Sequence, residues 1–188
     1  MTARIQPTPA VGHRPDIQEI LDASARLTGA PANINLTLAR HPGLFRHFAG
    51  FTGKLLLAGK LSPRDRELLI LRTAWRCGCD YEWGQHRQIA QAAGLRVDEI
   101  DRVPDEHDAT WSAADRTLFS AVDELIRDHR IATGTWQQLA SRYDDQHLIE
   151  LVLCVGAYTM VAGFLNSLEV EPDAGLEPLP RPVLGSAT

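Results

Sequence analysis

R-D-R-E-L-L-I-L-R-T-A-W-R-C-G-C-D-Y-E-W-G-Q-H, residues Arg64–His86, reads as the junction of two helices. Ser62-Pro63 just ahead of it puts a hydroxyl at an N-cap and a proline at the first helical position, and Asp65 completes a capping box. Leu68, Leu69, Leu71 and Trp75 follow at helical spacing. Gly78 supplies the stop, because glycine takes the left-handed conformation without steric cost. Asp80 is the expected N-cap of the next helix, which runs from Tyr81 to Ala93 and ends at Gly94.

The same grammar extends outward. Ile17, Ile20, Leu21 and Leu27 suggest a first amphipathic helix ending at Gly29; His41-Pro42 opens another through Leu44, Phe45, Phe48, Phe51 and Leu55. Ser112-Ala113-Ala114-Asp115 repeats the capping box ahead of Leu118, Val122, Leu125 and Ile126, and Thr135 with Gln138 marks a third such start. Between His147 and Leu168 the residues are apolar on nearly every side, which is long enough to cross a bilayer. Glu150, Gly156, Gly163 and Asn166 interrupt that run, so it is expected to be a central helix packed on all sides, partly against another subunit. No strand or hairpin pattern competes, and the fold class expected is all-α. Residues 1–15, with Pro7, Pro9, Pro15 and Gly12, read as a flexible arm; residues 16–171 form one helical domain; residues 172–188, with Pro178, Pro180 and Pro182, read as a proline-rich tail.

Composition narrows the function. The 188 residues are 44% hydrophobic and 23% charged, in the range of one globular domain. A formal charge of −5 argues against a nucleic-acid partner, which needs a basic surface to displace counterions from phosphates. An odd count of three cysteines argues against a disulfide scaffold and for a reducing, cytoplasmic setting, and the start lacks the apolar run of a signal peptide. A membrane is not an expected partner. Two of the four tryptophans fall between Trp75 and Trp83, and that concentration directs attention back to the junction.

There the chemistry-bearing side chains gather. Glu82 and His86 are four apart on one helix, hence on one face. Cys79 sits at the helix entrance, where free backbone N–H groups favour an anion and can lower a thiol pKa. If the preceding helix folds back, Glu67 joins them in a pocket walled by Trp75, Tyr81 and Trp83, with Arg72 or Arg76 as a two-pronged anchor for a substrate carboxylate. Two carboxyl groups in one apolar pocket have their pKa values pushed apart, and histidine titrates near neutrality; together they are the parts of a proton shuttle. The same spacings also describe surface ion pairs, Glu82 with His86 and Glu67 with Arg64 or Arg72. A metal is not expected, because Glu-x-x-x-His supplies two ligands and no third is spaced to complete the set; no cofactor motif occurs either.

Arg64–His86 with Ala92-Ala93-Gly94-Leu95, together with P-A-N-I-N-L-T-L-A-R-H-P (Pro31–Pro42) and the run from Leu148 to Val170, resembles the carboxymuconolactone decarboxylase family, which includes the AhpD-like alkylhydroperoxidases. The resemblance implies an all-helical domain associating as a homo-oligomer, a trimer or hexamer, with its site near a subunit interface. Glu67, Cys79 and His86 fall on the glutamate, first cysteine and histidine of the AhpD-like motif, but Glu82 stands where the second, peroxide-attacking cysteine would be. A dithiol cycle therefore cannot run here. The expectation is an acid–base enzyme of lyase or decarboxylase type on a small carboxylated or lactone-like molecule, with Glu67, Glu82 and His86 as its relay. The alternatives are a one-cysteine peroxidase using Cys79, and a non-catalytic oligomeric binding protein.

Overall fold

The computed structural model describes residues 2–180, which contain nine α-helices and no strand: α1 (Pro15–Thr28), α2 (Asn33–Leu38), α3 (Pro42–Ala58), α4 (Pro63–Arg76), α5 (Asp80–Ala92), α6 (Val97–Arg102), α7 (Ala113–Asp128), α8 (Thr133–Ala140) and α9 (Asp145–Leu168). Residues 181–188, including Pro182 of the expected tail, lie outside the described residues.

Helix α4 is the axis of the molecule, packed against α5, α7 and α9. Its Leu68, Leu69 and Leu71 are fully buried in a core shared with Phe119 and Val122 of α7 and Leu151 and Val155 of α9. Each such side chain removed from water contributes about 1.5–3 kcal/mol, so this cluster fixes where α4 and α5 meet. Helices α1 to α3 close a separate apolar cluster around Ile17, Leu21, Leu38 and Phe45.

The local signals behave as the sequence suggests, with three corrections. Ser62 Oγ accepts the Asp65 N–H at 3.0 Å, but the Asp65 carboxylate does not reach back. It is buried instead against Arg142 and the Tyr143 hydroxyl, so only the Ser112–Asp115 box is reciprocal. Gly78 takes φ +60°, and the Cys79 N–H donates to Ala74 O at 3.0 Å, closing α4. Cys79, not Asp80, is therefore the N-cap of α5. Helix α8 starts at Thr133; the Thr135 hydroxyl donates to Glu124 of α7 rather than capping.

Helix α9 is long and apolar enough to cross a membrane, and half of its apolar stretch is buried within the fold. It is not packed on all sides within the chain: Ile149, Leu153 and Met160 form an exposed stripe opposite the buried Leu148, Leu151, Val155 and Tyr158.

The terminal segments, expected to be loose, are stitched down over the residues described. The Arg4 N–H donates to Leu168 O and the Thr8 N–H to Leu36 O. On the other side, Asp173 accepts from the Asn33 N–H (2.9 Å), the Tyr81 hydroxyl (2.5 Å) and Gln85 (2.6 Å), and the Leu179 N–H donates to Asp80. Gly84 makes that approach possible, since a Cβ there would stand 2.7 Å from Leu176 Cβ and 3.0 Å from the Glu177 carbonyl oxygen. Gly84→Ala is expected to lift the tail from α5 although alanine is the better helix former. Amide exchange at Leu179 should speed up while α4 keeps its protection; unchanged protection at Leu179 would mean the tail shifts aside without detaching.

Candidate active site

The α4–α5 junction delivers the constellation. Glu67 lies in the first turns of α4, wholly buried, and holds two donors: the His86 ring nitrogen Nδ1 lies 2.7 Å from Oε2, and Arg66 Nε donates to Oε1 at 2.9 Å. With Nδ1–H given to the carboxylate, the His86 Nε2 is left as the working nitrogen. The edge of Tyr158, from α9, meets the His86 ring at 4.9 Å between centroids with the planes at 90°. One turn earlier on α5, Glu82 is 2% exposed, and neither of its carboxylate oxygens has a hydrogen-bond partner among the described residues. Burial alone drives its pKa well above the ordinary carboxylate value. A carboxyl group so placed favours its neutral form, because ionising it there would leave a charge with neither water nor a counterion.

These groups open on one cavity of about 650 Å³, between α5 on one side and α1, α2 and α3 on the other, with Tyr158, Val161 and Leu165 of α9 at its end. That volume suits a small organic molecule. Glu82, His86 and Tyr81 line it, as the sequence leads one to expect, although the Tyr81 hydroxyl is held by the tail through Asp173. Arg66 and Tyr158 line it too, and the sequence reading missed both.

Other expected site residues lie elsewhere. Arg72, the expected carboxylate anchor, is fully buried away from the cavity: Nε and Nη2 bind Asp123 at 3.0 and 2.7 Å, Nη2 also meets Glu106, and Nη1 donates to the carbonyls of Val103 and Pro104. Every donor is occupied, so none remains for a ligand. Arg76 pairs with the same Asp123. Trp83 is 0% exposed in the main core, and Trp75 packs against that core. Trp83 is one residue past Glu82 and so about 100° around the helix, which turns it from the cavity into the protein. Cys79 is also fully buried and does not line the cavity. Burial, above all, pushes its thiol up to about 12, against the opposing pull of the Glu82 backbone amide. The helix entrance does not make a thiolate. Among the described residues, no three potential metal ligands converge.

Residues 42–124 match the model of the carboxymuconolactone decarboxylase family. Over that segment, somewhat under half of the chain, the sequence is similar to this family. The match contains α4, α5, Glu67, Glu82 and His86. Solved structures show the same fold beyond the matched segment. An AhpD-core, peroxidase-related protein from Ralstonia eutropha JMP134 superposes with a TM-score of 0.80 at 19% identity, covering 90% of this chain and 93% of its own. A peroxidase-related protein from Silicibacter sp. TM1040 gives 0.80 at 17% identity, covering 93% and 96%. The debrominase Bmp8, solved as a cysteine-to-alanine variant in complex with 2,3,4-tribromopyrrole, gives 0.77 at 13% identity, covering 93% and 94%. At these identities the likeness is one of fold. No curated protein matches the sequence. The described residues thus have an all-α fold of the AhpD-like kind.

Proposed function

We propose that this protein is a member of the carboxymuconolactone decarboxylase family and an acid–base enzyme of lyase type acting on a small carboxylated or lactone-like molecule. The observation that carries the reading is Glu82, a buried carboxyl group with no protein partner, on the same cavity wall as the Glu67-held imidazole of His86. A buried polar group costs free energy unless something pairs with it, and a ligand oxygen is the natural partner of an uncharged acid. In a decarboxylation, the carbon–carbon bond to the departing carboxylate breaks, and its electron pair moves into the conjugated lactone, leaving negative charge on the carbonyl oxygen. The neutral Glu82 donates a hydrogen bond to that oxygen. Protonated at Nε2, His86 gives its proton to carbon and regains one from water, while Glu67 holds the ring by Nδ1 and offsets the imidazolium charge. Isomerisation or hydration would draw on the same groups.

The one-cysteine peroxidase reading is weaker. It needs an accessible thiolate, and Cys79 is buried with its thiol pushed up to about 12. A non-catalytic binding protein would have no use for an imidazole oriented by a carboxylate. The test is carbon dioxide release, and deuterium incorporation from heavy water, with a panel of unsaturated lactone carboxylates, alongside hydroperoxide consumption with thiol reductants. Wild type and Cys79→Ser are expected to turn over a lactone acid equally, and His86→Ala to lose at least about a hundredfold in rate. Hydroperoxide turnover abolished in Cys79→Ser would overturn the proposal.

A further inference from the structure

We propose that the ligand of the cavity is an amphipathic monoanion, an apolar body bearing a single carboxylate, and that Arg66 holds the carboxylate. The proposal deepens the acid–base reading and rests on it only for placing the reacting atoms beside Glu82 and His86.

Arg66 and Glu67 are consecutive on α4, and Arg66 Nε donates to Glu67 Oε1 at 2.9 Å. That contact uses one edge of the guanidinium. Neither terminal nitrogen has a partner among the described residues, while the side chain is 11% exposed and lines the cavity. This is the reverse of Arg72, whose donors are all taken by Asp123, Glu106 and two carbonyls. A planar guanidinium with its two Nη groups free is suited to a carboxylate by parallel N–H···O bonds, and the mostly dry surroundings strengthen them.

The rest of the cavity fixes the other half of the ligand. Its walls include Ile20, Ala23, Phe48, Leu56, Ile89 and Leu165, all apolar, and among the described residues Arg66 is the only lysine or arginine lining it. A second carboxylate on the ligand would find only neutral donors such as Asn35, Thr52 and Gln88, or the His86 imidazole that the reaction occupies, and would carry a desolvation cost that no further guanidinium or ammonium offsets. One anionic end near α4 and an apolar body running towards α1 and α3 satisfies both requirements.

Three eight-carbon probes separate the components: octanoate, 1-octanol and the dianion suberate, titrated calorimetrically into the full chain. Octanoate is expected to bind about tenfold or more tighter than either of the others. In Arg66→Gln that preference should vanish while the affinity for 1-octanol stays the same, which also reports that the variant is folded. A second measurement needs no variant: phenylglyoxal modification of Arg66 in the wild type, read by peptide mass, should be blocked by octanoate and not by 1-octanol. Equal binding of the acid and the alcohol, suberate binding as tightly as octanoate, a preference that survives Arg66→Gln, or modification that octanoate leaves unhindered would each overturn the proposal. The two readings fail separately. Octanoate selectivity through Arg66 without any His86-dependent turnover supports this assignment and removes the acid–base one, whereas lactone turnover without that selectivity does the opposite.

Discussion

Glu82→Gln is expected to slow turnover by up to roughly a hundredfold, short of losing an oxyanion donor outright, and to flatten the dependence of stability on pH. The substitution keeps the shape, exchanges the acid O–H for the weaker amide N–H donor and removes the titration. Burial raises the folded-state pKa of Glu82 well above the 4.5 it would have when exposed. Between those two values the folded protein holds a proton that the unfolded chain releases, so the contribution of Glu82 to stability is complete below pH 4.5 and is lost as the pH rises through the folded value. Each pKa unit of difference corresponds to about 1.4 kcal/mol, or a few degrees of melting temperature for a domain of this size. Glutamine cannot titrate. Melting curves from pH 4 to pH 8 should therefore show Glu82→Gln gaining on the wild type as the pH increases. A wild-type rate in the variant, or parallel pH dependences, would remove Glu82 from the role of neutral acid.

The largest loss of stability is expected from Arg72→Ala. It leaves Asp123 with only the part-exposed Arg76, removes the arginine from Glu106 and frees the carbonyls of Val103 and Pro104 at the place where α4 meets α7. Removing one partner of a buried ion pair costs about 3–5 kcal/mol, which lowers the melting temperature by on the order of 10 °C in a domain of this size. The double variant Arg72→Met with Asp123→Leu should recover much of this, because an apolar pair replaces the two buried charges, and Glu106 and Arg76, which lose their partners, are part-exposed to water. Ligand affinity per folded molecule should be unchanged in the double variant. A melting temperature within a degree or two of wild type for Arg72→Ala, with weakened ligand binding, would return Arg72 to the site.

Why Arg72 is structural and Arg66 faces the cavity shows where a linear reading stops. Both arginines stand on one helix, six positions apart, which is about 240° of rotation. That the two face different ways is legible. Which face looks inward depends on acids 51 and 34 residues downstream, Asp123, placed by the packing of α7 on α4, and Glu106, in the segment before α7. The turn at Gly78 and the Glu82/His86 pairing are encoded locally and could be read directly. The tryptophans misled for a related reason: crowding at Trp75 and Trp83 marks a dense region but carries no phase, and their phase points into the core. Tyr158 was hidden because α9 is apolar on nearly every face, so no stripe in its sequence marks the side that meets His86. Proline suggested a free tail, whereas a single aspartate, Asp173, is what ties it down.

That tie sets the order in which the site can be assembled. Asp173 joins Asn33, 140 positions earlier, to Tyr81 and Gln85 on the helix that carries Glu82 and His86. Closing loops of that span has a conformational cost that local helix formation does not, so such a contact forms late in folding. Helices α4 and α5 can pair as soon as both have been synthesised. Ile34 and Tyr81 already join α2 to α5. The Asp173 bonds that reinforce this wall come only after residue 173 has left the ribosome, so a nascent chain can hold the Glu67–His86 pair before the cavity wall has its full set of bonds.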